Sequence, residues 1–486
     1  MRVILPVLAA LALSACASLS DRAAASLNSQ PLKGVHWGLV VTTLEGRELI
    51  AINPDDRFLP ASNTKLFTVA AAFHTLGDMA RADPAFGTSI RLITSDDGAP
   101  PSLFLVGAGD PTLIDAPDCQ QNCLSDLVNA VLLNGVKEVE TVIADETLYP
   151  REPWPPGWNQ DDMVSRSGAP VSALTVNSNE LGLIVRPGAD VGEPSEINYR
   201  DGPELYDINN HVDTIAADSP LETYLVAERF PDEPDDIRVF GRIKANSPPV
   251  SLPVSVHDTA WAAGMRLKLL LESRGIPVTD GVEARYRPLK LLDETATAFT
   301  SPRPGIEIAR LVPRPLIEDV TFLMKQSQNL HAELLLRRVG LVHGDGTREA
   351  GLKQVGTMLS EIGVPRWSWD FFDGSGMSTY NRVTPRTVAQ LLHWTTQQPW
   401  GQDFRDTLPI GGVDGTLRRR FTGTPLEGRI FAKTGTLMGT NALSGFLTTK
   451  SGKTLIFSAY ANDRPSGAPP AIDTLDATLV TIAETN

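Results

Sequence analysis

Ser62 and Lys65 have the clearest chemical potential in this chain. Three residues apart, they share one face of a helix. A serine hydroxyl is a weak nucleophile and needs a base within hydrogen-bond reach. A lysine amine is such a base only when neutral, so its ordinary value of about 10.4 must fall towards neutrality. Burial and a second cation both push that way. Lys433 is the obvious second cation. Of the eleven lysines, only Lys65 has a serine three residues before it. Two more short motifs follow in order, Ser327-Gln328-Asn329 and Lys433-Thr434-Gly435. The ordered triple points to one acyl-transfer site, to which each motif supplies a different part.

Each motif alone is weak, because three-letter patterns recur by chance. Ser26-Leu27-Asn28 repeats the second, but lies in the polar segment before the first domain. Lys450-Ser451-Gly452 repeats the third, but falls between two strand-like runs and reads as their hairpin turn. Plain structural roles compete: a helix cap for Ser62, Ser327 or Asn329, and an ordinary strand end for Lys433. Asp373 and Asp414 lie in glycine-rich turns, where Asx geometry explains them without catalysis. Other chemistries lack their marks. There is no G-x-S-x-G elbow. The seven histidines show no H-E-x-x-H spacing. Gly107-Ala108-Gly109-Asp110-Pro111 lacks the Lys-Ser/Thr of a phosphate loop. No metal or cofactor is expected. The net charge of −15 argues against a nucleic-acid partner.

The elements that position these motifs follow from periodicity. His36–Thr43 and Glu48–Asn53 read as a hairpin around Leu44-Glu45-Gly46. Thr64–Leu76 reads as a helix, with Leu66, Val69, Ala70 and Phe73 on one face. Ser62 then sits near a helix N-terminus, where free N–H groups favour a developing oxyanion. The 265 residues from Ser62 to Ser327 exceed any plausible loop and must hold folded material. Strand runs are expected at Ser89–Thr94, Ser102–Gly107, Val139–Asp145 and Val282–Tyr286, with helices around Leu124–Leu132 and Ala260–Gly275. Asn329–Val339 reads as a helix. Arg429–Thr436, Ala442–Thr449 and Thr454–Tyr460 read as strands, and Ala471–Ala483 as a closing helix. Strands at both chain ends with helices between predict an α+β fold with an antiparallel sheet covered by helices. The expected organisation is a first domain from 35–83 and 289–486. It holds an inserted α/β domain, 84–188 and 256–288, with a nested β-rich domain at 189–255.

At 486 residues and 42% hydrophobic, the chain has room for about three domains. Residues 1–16 read as an export signal: a short positive start, then an apolar run from Val3 to Leu13 that is too short to span a bilayer. Leu13-Ser14-Ala15-Cys16 resembles a bacterial lipoprotein cleavage box, which would lipidate Cys16 and tether the protein to a membrane. Ala15-Cys16-Ala17 also fits a site that releases a soluble protein. The odd count of three cysteines favours lipidation. Cys119 and Cys123 then either pair in an oxidising compartment or stay free. Residues 17–34 are small and polar and read as a tether.

With these motifs, the chain resembles the D-alanyl-D-alanine carboxypeptidase/endopeptidase family of penicillin-binding proteins. Several further stretches look like the family's own: the Gly107–Pro111 run, Ala173-Leu174-Thr175-Val176-Asn177, Asp373-Gly374-Ser375-Gly376-Met377-Ser378 and Gly412-Val413-Asp414-Gly415-Thr416-Leu417. A long insertion between the first two motifs is another family mark. The resemblance implies removal of terminal D-alanine from peptidoglycan stem peptides, cleavage of D-alanyl cross-links, or both, in the periplasm or cell envelope. β-Lactams are expected to acylate Ser62. Ser327 would pass a proton between Lys65 and the leaving amine, while Asn329 would orient Lys65. Lys433 and Thr434 would bind the terminal carboxylate, and Gly435 would allow close approach. The N–H groups of Ser62 and Thr436 would form an oxyanion hole. Asp162, after Gly157-Trp158, resembles a residue of the insert that faces substrate. Thr379 and Met438 depart from the family's frequent Arg and Gln, so its preference for the third stem residue is not carried over. Two rivals remain at this point: a β-lactamase or esterase on the same scaffold, and a non-catalytic wall-binding lipoprotein.

Overall fold

The computed structural model describes residues 19–27, 32–94, 98–230, 232–289 and 303–485. Cys16 and the expected signal lie outside them. The two ends of the chain meet in one antiparallel sheet. Its strand order is Ile430–Leu437, Thr440–Thr448, Thr454–Asn462, His36–Thr43 and Glu48–Ile52. Side chains alternate across a strand, and here both faces are buried. Val40, Ile456 and Tyr460 enter one core with the serine-bearing helix Lys65–Leu76 and the helix Asn329–Val342. Leu39, Val41, Leu455 and Phe457 enter the other, under the closing helix Ile472–Thr485. This is the expected sheet between helices.

Three expectations are corrected. The stretch read as a tether contains a helix, Leu19–Leu27. Ala23 and Leu27, one turn apart, are buried against the closing helix, and Ser26 Oγ meets Thr478 Oγ1 at 2.9 Å. Small alanines hid this apolar stripe. The inserted sheet runs Val278–Arg287, Val139–Pro150, Ser102–Val106, Ser89–Ile93 and Ile306–Arg310. Its last strand lies beyond the expected boundary at 288, because Ile306–Arg310 pairs with Ser89–Ile93. The nested β-rich unit also recruits an earlier strand. Glu180–Arg186 pairs with Val250–Ser255 and Glu196–Asp201, and its Leu181, Leu183 and Val185 join Val212 and Val239 in a separate core. Cys119 and Cys123 are joined as a disulfide, which decides between the two cysteine readings.

Candidate active site

The serine motif opens a helix. Ala61–Thr64 forms a tight 3-10 turn that runs directly into Lys65–Leu76. No side chain caps either segment, so Ser62 is not an ordinary capping serine. Ala61 sits at φ +47°, a left-handed conformation that costs a non-glycine residue free energy. Gly376 explains how it is held, since a Cβ there would meet the Ala61 carbonyl at 1.9 Å.

Lys65 is completely buried. Its Nζ donates to Ser62 Oγ at 3.0 Å, to Asn329 Oδ1 at 2.7 Å and to the Ser375 carbonyl at 2.6 Å. Burial pulls its value down to about 7, although the Asp373 and Glu333 carboxylates oppose that. Lys433 is also fully buried and held well below the ordinary lysine range, first by burial and then by repulsion from Lys65. Of the two causes expected to lower Lys65, burial is the one that acts on it, and the repulsion between the two amines shows on Lys433. With Lys65 neutral, two N–H bonds can remain on Asn329 and Ser375 while its lone pair accepts the Ser62 proton.

The second motif turns the chain between two helices. Ser327 ends Leu316–Gln326 in a left-handed conformation, φ +61°, and Gln328 caps the next helix by accepting from Leu330 N at 2.9 Å. Ser327 Oγ accepts from Lys433 Nζ at 2.9 Å. The hydroxyl expected to bridge to Lys65 thus engages Lys433 in this state. Asn329 reaches Lys65 as expected, and its Nδ2 donates to the Ser167 carbonyl at 2.9 Å, joining the inserted domain to the site.

Lys433, Thr434, Gly435 and Thr436 lie on an edge strand. Pairing with the neighbouring strand uses alternate residues, and Ala432 N already bonds outward to the Pro409 carbonyl at 3.0 Å. By the two-residue period, Thr434 and Thr436 also present their N–H groups outward. Thr434 Oγ1 donates to Thr416 Oγ1 at 2.9 Å. Gly435 lets this strand touch the serine turn, because a Cβ there would lie 2.6 Å from the Pro60 carbonyl. Gly435→Ala is accordingly expected to push the strand off Pro60 and Ala61. Acylation should slow by about tenfold or more, with about 1–3 kcal/mol lost in stability. Acylation rates beside thermal unfolding check this, and an unchanged rate would mean that the close approach is dispensable.

Asp162 lies in the short turn Gln160–Asp162. Its carboxylate accepts from Asn159 Nδ2 at 3.3 Å, and burial raises its value. It bonds none of the motif side chains directly. Asp373 and Asp414 are loop organisers, as expected. Asp373 accepts from Gly376 N, Ser378 N, Asn381 Nδ2 and Trp158 Nε1, and Asp414 accepts from Ile410 N and Lys325 Nζ. Sequence reasoning missed three participants. The Ser375 carbonyl carries no side-chain signal, and Thr416 is distant in sequence. Glu333 did carry a signal, because it stands four residues after Asn329 among the apolar Ala332, Leu334, Leu335 and Leu336. Among the described residues no cluster of His, Cys, Asp or Glu could hold a metal ion.

A buried, neutralised lysine beside a serine at a helix start, on a sheet with free edge amides, marks a serine peptidase. The chain belongs to the D-Ala-D-Ala carboxypeptidase 3 (S13) family, whose model matches residues 19–483. It is 36% identical over 481 residues to a D-alanyl-D-alanine carboxypeptidase of Actinomadura sp. (strain R39), covering 95% of this chain and 83% of the relative. The fold matches penicillin binding protein 4 from Haemophilus influenzae with a TM-score of 0.79 at 22% identity, over 96% of this chain and 99% of that one. A second structure of that protein, complexed with a β-lactam, matches with a TM-score of 0.74 at the same identity and coverage.

Proposed function

We propose that this chain is a D-alanyl-D-alanine peptidase of the cell envelope that works through an acyl-enzyme on Ser62. The observation that carries the reading is the buried Lys65 amine, 3.0 Å from Ser62 Oγ and held near neutrality. Lys65 takes the hydroxyl proton as Ser62 Oγ bonds to the carbonyl carbon of the penultimate D-alanine. The developing oxyanion is held by the N–H groups of Ser62 and Thr436. Lys433, Thr434 and the bonded Thr416 hydroxyl hold the substrate's terminal carboxylate. An arriving carboxylate favours the Lys433 ammonium, whose charge then discourages Lys65 from keeping a proton. Collapse of the tetrahedral intermediate breaks the peptide C–N bond. The proton on Lys65 passes to the leaving amine, with Ser327 as relay once Lys433 turns to the carboxylate. Water then hydrolyses the Ser62 ester. In a cross-link the leaving amine belongs to a neighbouring stem peptide, and the chemistry is unchanged.

Asp162 is read as a substrate-facing residue of the insert, supported by its place in the turn next to Ser167, which receives Asn329. Cys16 is read as a lipid-bearing residue that anchors the protein to a membrane. No helix among the described residues is long and apolar enough to cross one.

The test is release of free D-alanine from a peptide ending in D-Ala-D-Ala, beside the lifetime of the penicillin adduct. Turnover of the peptide with an adduct lasting minutes to hours supports the reading. An adduct lost within seconds, with rapid penicillin consumption, would point to a β-lactamase.

A further inference from the structure

Glu333 lies one helical turn beyond Asn329 and is completely buried. Its Oε1 accepts from the backbone N–H of Gly374 at 2.9 Å and of Ser375 at 2.7 Å. Its Oε2 makes no hydrogen bond among the described residues. The carbonyl of the same Ser375 accepts from Lys65 Nζ at 2.6 Å. The carboxyl group thus grips the turn that grips the amine. The unpartnered buried oxygen is costly, so packing alone does not account for a glutamate here. Glutamine would offer the turn the same acceptor without the charge.

We propose that Glu333 is a positioning residue for the general base: it fixes Lys65 Nζ through the Gly374–Ser375 turn, and its charge sets when Lys65 gives up its proton. The proposal rests on Lys65 being that base. The charged groups around the pair come from four elements. Lys65 lies on the serine-bearing helix, Asp373 on the loop before Ser375, Arg337 one turn along Glu333's own helix, and Lys433 on the edge strand beyond Lys65. Burial, helped by Asp373, pushes the Glu333 carboxyl up to about 7, while Arg337 and the Ser375 N–H oppose this. The Glu333 charge acts on Lys65 and both groups bond the same Ser375, so the two titrate as a coupled pair. An ionised Glu333 favours the Lys65 ammonium and delays the base. A protonated Glu333 releases it.

The experiment is the rate of Ser62 acylation by penicillin across pH, for wild type, Glu333→Gln and Glu333→Asp in the full chain. Removing the charge lowers the Lys65 value. The acid limb of Glu333→Gln should therefore move to lower pH, by less than about one unit because Glu333 is itself partly protonated there. Glu333→Asp keeps the charge, so its limb should stay near wild type even where its plateau falls. Equal slowing of Glu333→Gln at every pH, with the limb unmoved, would mean a structural role only and overturn the proposal. Should Glu333→Gln not fold, the wild type decides through NMR of its 13Cε-labelled lysines, with the Lys65 signal identified by its change on acylation. A coupled pair gives a broadened or two-step titration near neutrality, and a single-site curve overturns the idea. Undiminished acylation in Lys65→Ala would remove the base itself, an outcome distinct from an unmoved limb.

Discussion

Ser62→Ala should take no penicillin adduct, while the wild-type chain gains one covalent equivalent by intact mass. The variant is a sharp test because the site holds a second serine–lysine pair. Ser327 Oγ lies 2.9 Å from Lys433 Nζ, and that amine too is buried and depressed. Proximity to a lysine therefore does not choose between the serines. The helices do. Ser62 lies in the turn that opens a helix, where unpaired N–H groups and the positive end of the dipole face a developing oxyanion. Ser327 closes a helix, where the exposed carbonyl end disfavours negative charge. The Lys433 amine is also engaged by the Thr434 carbonyl at 2.9 Å. Removing the nucleophile should cut acylation by about 10⁴-fold or more. The fold should hold, because among the described residues the deleted hydroxyl has one hydrogen-bond partner, Lys65, worth about 1 kcal/mol. Adduct mapped to Ser327 in either protein would reverse the assignment.

The site was legible in the sequence wherever chemistry depends on side-chain type and short spacing. Ser62 and Lys65 meet because three residues make about one helical turn. Ser327 with Asn329, and Lys433 with Gly435, were found from their order along the chain. Their mutual geometry was not legible, because hydroxyl partners depend on protonation and on which strand edge lies alongside. Ser327 accordingly rests on Lys433 rather than Lys65. The Ser375 carbonyl was invisible because backbone acceptors carry no residue code, and its use depends on a turn held by Asp373 and Glu333. The central sheet was legible from short, largely apolar runs such as Thr454–Tyr460, which the sheet buries on both faces. Ile306–Arg310 was missed because its five residues carry only the brief alternation Ile306-Glu307-Ile308, too short to mark a strand. Leu19–Leu27 was missed because its buried face is built partly from alanine, which reads equally well as a flexible tether.

Lys65→Ala should slow acylation by about 10²–10⁴-fold, the usual reach of a positioned general base, and should also change the shape of the pH profile. In the wild type, the acylation rate should rise with pH up to about 7 and then level, because only the neutral amine accepts the Ser62 proton. The variant should lose that limb along with the rate. A stability measurement separates this from unfolding, and its sign follows from linkage. In the unfolded chain Lys65 keeps its proton up to about pH 10.4, whereas in the fold it keeps it only to about 7. Between those values the unfolded state binds more protons, so stability rises with pH there, and the contribution is lost as pH falls to 7. Lys65→Ala abolishes this dependence while leaving Asn329 Oδ1 and the Ser375 carbonyl without their donor, about 1–3 kcal/mol each. The two effects oppose each other near neutral pH, so the variant should remain folded although its chemistry is lost. A variant that stays folded and still acylates with the wild-type pH limb would show that another group takes the proton. The buried amine weakens the fold at neutral pH, a cost that the proposed role of Lys65 as the base accounts for.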